Sequence, residues 1–238
     1  TKGNAKPTVR NNPVIATLLP GLLRTIQRRG ADKYHYVLYL GYDEGDSFYD
    51  NPKSREEFLV RVKSMIYPYS VDFHMVKCVN SHGWVPFIWN VLFQRAMDDG
   101  ADYFYQTNDD NRFITPGWST KFIEVLRASP MYPNMGVTGP VDLRNKRIFT
   151  QAFVHRTHYQ IFGYMFPPVF KNWFSDNWIT YVYEFSPVFG TFRNTEMHAA
   201  NKQTYGTRYT ICENGKKLLE RALHQGRERI MNWLEDHK

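Results

Sequence analysis

Residues 103–111 read Tyr-Phe-Tyr-Gln-Thr-Asn-Asp-Asp-Asn: an aromatic run that stops abruptly in amides and carboxylates. Tyr103 to Thr107 predicts a short strand, with Asn108-Asp109-Asp110-Asn111 just past its carboxyl end. Two carboxylates side by side repel each other unless a cation sits between them. An Asp- and Asn-rich β-turn is the competing reading. Upstream, Asn80-Ser81-His82-Gly83 leads into an apolar helix over Trp84–Met97, then Asp98-Asp99-Gly100-Ala101-Asp102. Downstream, Thr115-Pro116-Gly117 precedes a helix over Trp118–Leu126. Further upstream lie a helix at Val14–Ile26, a strand at Tyr34–Leu40, a helix at Ser54–Met65 and a strand at Val71–Lys77. Ser54 and Glu57 have the spacing of a capping box. Strand and helix thus alternate through the first half, which predicts an α/β fold with a mainly parallel sheet flanked by helices. In open α/β sheets ligands sit beyond the carboxyl ends of the strands, where the acidic stretch falls.

The second half changes character. Gly136–Gly139 and Arg147–His155 read as strands flanking a turn at Asn145-Lys146, followed by an irregular aromatic- and proline-rich stretch from Tyr159 to Trp178. The last 25 or so residues read as one or two helices. With 238 residues and 28.2 kDa, the chain is long enough for one sizeable core. It is read as a single domain over 1–238, with one half at 13–127 and a second at 128–238. Mean hydropathy is −0.53, and no apolar run approaches the ~20 residues needed to span a bilayer.

Net charge is +7, and residues 1–33 hold seven Lys or Arg against Asp32 alone. The rest is nearly neutral, which excludes a uniformly basic nucleic-acid binder. The basic segment reads as a solvated face or as a peripheral contact with an anionic membrane. Cys78 and Cys212 form no zinc or disulfide pattern, and no Asn-x-Ser/Thr sequon occurs. These features lean towards the cytoplasm; a Golgi ectodomain is the alternative.

The order of turn, Asn-bearing helix, Gly-Ala-Asp-Tyr, apolar strand, acidic cluster and Trp-helix resembles the nucleotide-sugar-binding half of GT-A fold (Rossmann-like) glycosyltransferases. The likeness covers residues 34–127 well and 136–212 more loosely. The chain also looks like sugar transferases of large DNA viruses of algae and related protists, for which the host cytoplasm would be the location. The resemblance implies a metal-dependent enzyme that moves a sugar from a nucleotide-sugar donor to a glycan or glycoprotein hydroxyl. It implies Mn2+ or Mg2+ as cofactor and a UDP-sugar ahead of a GDP-sugar as donor. Asp110 would bind the metal directly, and Asp109 or Asn108 the ribose or the metal's water shell. Asp43 would meet the base or ribose, against the reading of a surface-loop acid. Asn80 and Asn90 would orient the nucleotide, against helix caps. The chain departs from the family in showing no strand before the helix at Val14: either that strand is missing from this sequence or the fold departs from the pattern, and the loop that would follow it and hold the base has no counterpart here.

In the second half, Ser175-Asp176 opens an apolar helix. Asp176 fits the place of the general base of inverting members, with Glu184 in reserve; a plain N-cap is the alternative. Trp173, Trp178 and Tyr164 or Phe166 would shape the acceptor cleft by stacking. His198, 22 residues after Asp176, would be an additional metal ligand, with His155 and His158 as competitors. Arg156 and Arg208 would contact the diphosphate, or form structural ion pairs. A sugar nucleotidyltransferase and a non-catalytic carbohydrate-binding module are the rival functions.

Overall fold

The computed structural model describes residues 8–26, 33–81, 83–201 and 214–237. The aromatic run is a strand, β3 (Tyr103–Gln106), and its alternation sets the layers. Tyr103 and Tyr105 face one apolar cluster and Phe104 faces the other. The first cluster is capped by α1 (Leu19–Thr25), which continues a π-helical turn at Val14–Leu18, by α2 (Pro52–Ile66) and by α4 (Trp118–Arg127). The second is capped by α3 (Val85–Asp98), α5 (Thr157–Phe162), α6 (Ser175–Tyr181) and α7 (Gly215–Asp236). Helices therefore cover both faces, as the alternating sequence predicts. The C-terminal segment is one helix.

The sheet itself differs from expectation. β1 (Tyr36–Asp43) and β2 (Val71–Cys78) pair in parallel, from Tyr36 opposite Val71 to Asp43 opposite Cys78. The larger sheet is mixed rather than mainly parallel, with the order β3, β6 (Ala152–His155), β5 (Val137–Asp142), β9 (Thr191–Asn201), β4 (Asn111–Phe113). Only β5 and β9 run parallel there; β3–β6, β5–β6 and β4–β9 are antiparallel. No helix joins β5 to β6, and a parallel return needs a crossover of a dozen or more residues. A small hairpin, β7 (Glu184–Phe185) with β8 (Val188–Phe189), completes the described strands.

Two close approaches fix the helices. At Gly21 of α1 an added Cβ would stand 2.8 Å from the backbone nitrogen of Phe113, so α1 lies directly on β4. At Gly226 it would meet Val182 at 2.6 Å and the Trp178 ring at 3.4 Å, so α7 lies on α6. Most of the aromatic excess is core: Phe48, Phe58, Phe122, Phe166, Trp178 and Tyr183 are essentially inaccessible. Among the described residues no helix is long and apolar enough to cross a membrane.

The cap of α2 is not the expected one. Asn51 accepts from the Ser54 backbone N–H at 3.0 Å, with Pro52 in the first helical position. Asn51→Ala is expected to cost about 1 kcal/mol, some 2–4 °C in Tm at this size, while Ser54→Ala leaves Tm nearly unchanged. Thermal melts of both variants check this.

Candidate functional site

β3 and β5 are both antiparallel to β6, so they end on the same edge of the sheet. The turn after β3, the segment after β5 and the start of β4 gather there. Asn108, Asp109 and Asp110 form the turn, half-buried, closed by the Asn111 N–H donating to the Asn108 carbonyl at 3.2 Å. Beneath it lies a buried polar network. The Asn111 and Gln151 amides bond reciprocally at 2.6 and 2.9 Å, Asn111 also donates to the Thr107 hydroxyl, and the Tyr105 hydroxyl donates to Gln151 at 2.7 Å. Such a network pins the turn, because each group would lose a bond in a low-dielectric interior if it moved. Burial first, and the Asp109 charge among the lesser causes, raise the pKa of Tyr49 in the loop after β1.

Asp176 lies within electrostatic reach of Asp142, which ends β5 on that edge. It begins α6 but caps nothing: that helix has no side-chain cap, and its N-cap position is Phe174 at φ 77°. Positive φ is rare for an aromatic residue and carries a cost of about 1–3 kcal/mol. It turns the chain between exposed Trp173 and Asp176, whose Oδ1 is closed off from solvent without a hydrogen-bond partner. The Thr180 hydroxyl links the two segments, donating to the Asp176 carbonyl at 2.6 Å and accepting from the Phe149 N–H at 2.9 Å. Burial first, and the negative charge of Asp142 second, push the Asp176 carboxyl up to about 7. Asp142 is itself buried at 3% exposure and accepts from the Thr150 hydroxyl at 2.6 Å. On the face of the sheet that α6 covers, Gln106 is 7% exposed, and its Nε2 is likewise buried without a partner.

The other expected residues divide. Asp43, at the carboxyl end of β1, accepts from the Ser81 hydroxyl and from the Gly83 N–H at 3.1 Å, so it holds the loop that starts α3. Asn80 in that loop is exposed at φ 59°, a conformation Asn tolerates better than most residues. Asn90 spends both amide ends on the backbone of Phe166, at 2.8 Å each, which clamps the aromatic loop onto α3. Trp173 is 41% exposed. Trp178 cannot line a cleft: it is fully buried, and its indole N–H donates to the Ala222 carbonyl at 3.1 Å. Phe166 is also core. Tyr164 packs beside Phe162 and Trp178 under the Arg229 guanidinium. Glu184 is exposed on β7.

Three basic residues fall away from the mouth. Arg156 pairs with Asp102 at 3.6 Å, at the start of β3 and about 13 Å of strand from the acidic turn. His155, beside it, is half-buried, and desolvation lowers it to about 4. His158 is a core residue: its ring nitrogens meet the Tyr183 hydroxyl at 2.9 Å and the Met165 carbonyl at 3.1 Å, and burial lowers it to about 3. Arg208 and Cys212 lie outside the described residues; Cys78 is a buried thiol pushed up to about 11 by desolvation.

His198 sits on β9 with its carbonyl accepting from the Ile114 N–H, whereas Asn111 lies opposite Asn201. Three residues of ladder, about 10 Å of backbone, therefore separate His198 from the start of the acidic turn. Among the described residues no group of three or more His, Cys, Asp or Glu gathers as metal ligands. Asp109 and Asp110 alone still fit a Mg2+ or Mn2+ that takes its remaining oxygens from phosphates and water. Asp142, Gln106, Thr150 and Gln151 were not singled out from sequence. Asp142 carries the signal used at Asp110, an acid ending an apolar strand.

No family model matches the sequence, and neither a curated protein nor a solved structure matches the chain.

Proposed function

We propose that this protein is a GT-A-type glycosyltransferase that uses a nucleotide sugar, with Asp176 as its general base. The observation that carries the reading is Asp176: a half-buried residue with one carboxylate oxygen closed off from solvent and unpartnered, its carboxyl pushed up to about 7 by burial and by Asp142, the residue that ends β5. A base is most effective when its pKa lies near the working pH. The acceptor hydroxyl gives its proton to the Asp176 carboxylate as its oxygen bonds to the anomeric carbon. The bond from that carbon to the diphosphate oxygen breaks, and the electron pair leaves with the nucleoside diphosphate. The sugar carbon inverts. Asp109 and Asp110 would hold a Mg2+ or Mn2+, which supplies charge neutralisation for the leaving diphosphate. Trp173 offers a flat apolar face for a sugar of the acceptor.

The test is release of nucleotide from a panel of UDP-, GDP- and CMP-sugars, with Mn2+ and with EDTA. Metal-dependent turnover of one donor is the expected result. Asp110→Asn should lower it by about a hundredfold or more and abolish stimulation by metal. No turnover of any donor, or full activity of Asp110→Asn at saturating metal, would remove the proposal.

A further inference from the structure

With Arg156 committed to Asp102 at the other end of β3, the mouth needs other cations if it is to hold a diphosphate. The segment after β5 supplies them. Asp142-Leu143-Arg144-Asn145-Lys146-Arg147 places three cations within four residues. This loop leaves the same edge as the acidic turn, with β9 between them: the Leu143 N–H donates to the Ala199 carbonyl at 3.0 Å, and Asn201 lies opposite Asn111.

Its backbone is fixed. The Asp142 carboxylate accepts from the Arg144 N–H at 2.9 Å, and the Asp142 carbonyl from the Asn145 N–H at 3.1 Å. The Asn145 side chain accepts from the Arg147 N–H at 3.3 Å. From β9, the Arg193 guanidinium donates to the Arg147 carbonyl at 2.9 Å while lying over the Phe149 ring. Arg144, Lys146 and Arg147 are all exposed, and among the described residues none of them forms an ion pair. Like charges confined to a rigid turn repel, and a polyanion relieves that repulsion.

We propose that the β5–β6 loop is the diphosphate-binding element, with Arg144, Lys146 and Arg147 gripping the phosphate oxygens of a nucleoside diphosphate. Guanidinium forks match phosphate geometry and strengthen as the leaving group gains charge. Asp142 then has two tasks: it shapes this loop and sets the charge environment of Asp176. The role of the diphosphate as leaving group rests on the function proposed above; its capture by the loop does not.

Calorimetric titration with inorganic pyrophosphate, UDP and GDP, in EDTA and at several salt concentrations, tests the loop. The intact chain should bind pyrophosphate with an affinity that falls as salt rises. The R144Q/K146Q/R147Q variant should lose at least tenfold and most of the salt dependence. Arg61→Gln, an exposed change on α2, should match the parent. Parent-like binding by the triple variant, or no binding of any probe by the intact chain, would overturn the proposal. Loop-dependent binding without turnover of any sugar donor would keep the loop and remove glycosyl transfer. Turnover with an unchanged donor KM in the triple variant would do the reverse.

Discussion

Asp176→Asn is expected to make the protein more stable at pH 8 and to silence it. The Asp176 carboxyl titrates near 3.8 in the unfolded chain and near 7 in the fold, because burial and Asp142 disfavour its charge. Between those values the folded state holds a proton that the unfolded state has released. Stability from this group is therefore complete below about pH 4, falls as pH rises, and is gone above about pH 7. The full swing is about 4 kcal/mol at 1.36 kcal/mol per unit. Asparagine has the shape of the protonated acid and never ionises, so the variant should lose this pH dependence. Its Tm at pH 8 should exceed the parent's by roughly 10 °C, with little difference at pH 4. The same change removes the proton acceptor, which should lower transfer by about 10²–10⁴-fold. Melts at pH 4 and 8 beside activity assays check both halves. Parallel pH–Tm curves for the two proteins would show that Asp176 is an ordinary solvated acid.

Trp178→Ala is expected to cost about 3–5 kcal/mol, a fall of roughly 10 °C or more in Tm. The ring lies under α7, with the Phe162 centroid at 5.1 Å and His158 at 6.0 Å. Its loss opens a cavity and leaves the Ala222 carbonyl without the indole donor. Trp173→Ala, at an exposed position, should leave Tm within about 1 °C and instead raise the KM for acceptor. Melting curves and acceptor kinetics on both variants separate packing from recognition. If Trp178→Ala melted like the parent and lost only acceptor affinity, Trp178 would face the cleft after all.

These two tryptophans mark where sequence reading stops. Both lie in an aromatic stretch with no clean period, so composition signals stacking surfaces without saying which ring turns outward. The answer depends on Phe174, whose left-handed backbone no propensity rule anticipates. The first half was legible because α2 and β3 bury a regular face, and β1, β2 and α3 are compact runs rich in apolar side chains. β9 was not. Thr191–Asn201 carries Arg193, Asn194, Glu196 and His198 through the interior of the larger sheet, and gains its place from pairing with β5 and β4. Without β9 the sheet reads as parallel, and Asp110 and His198 can be imagined together. With it, the ladder sets His198 about 10 Å of strand from the start of the acidic turn. The site shows the same division: the acidic turn and Asp176 stand out along the chain, whereas Asp142 and its basic loop matter through what they are folded against.

The most direct measurement is the pH dependence of single-turnover transfer, or donor hydrolysis, by the parent and by Asp176→Asn between pH 5 and 9. The account predicts a rate that rises through a limb near pH 7 in the parent, and a variant slower by at least about a hundredfold in which that limb is gone. A variant that keeps the parent's rate and the same limb would contradict it.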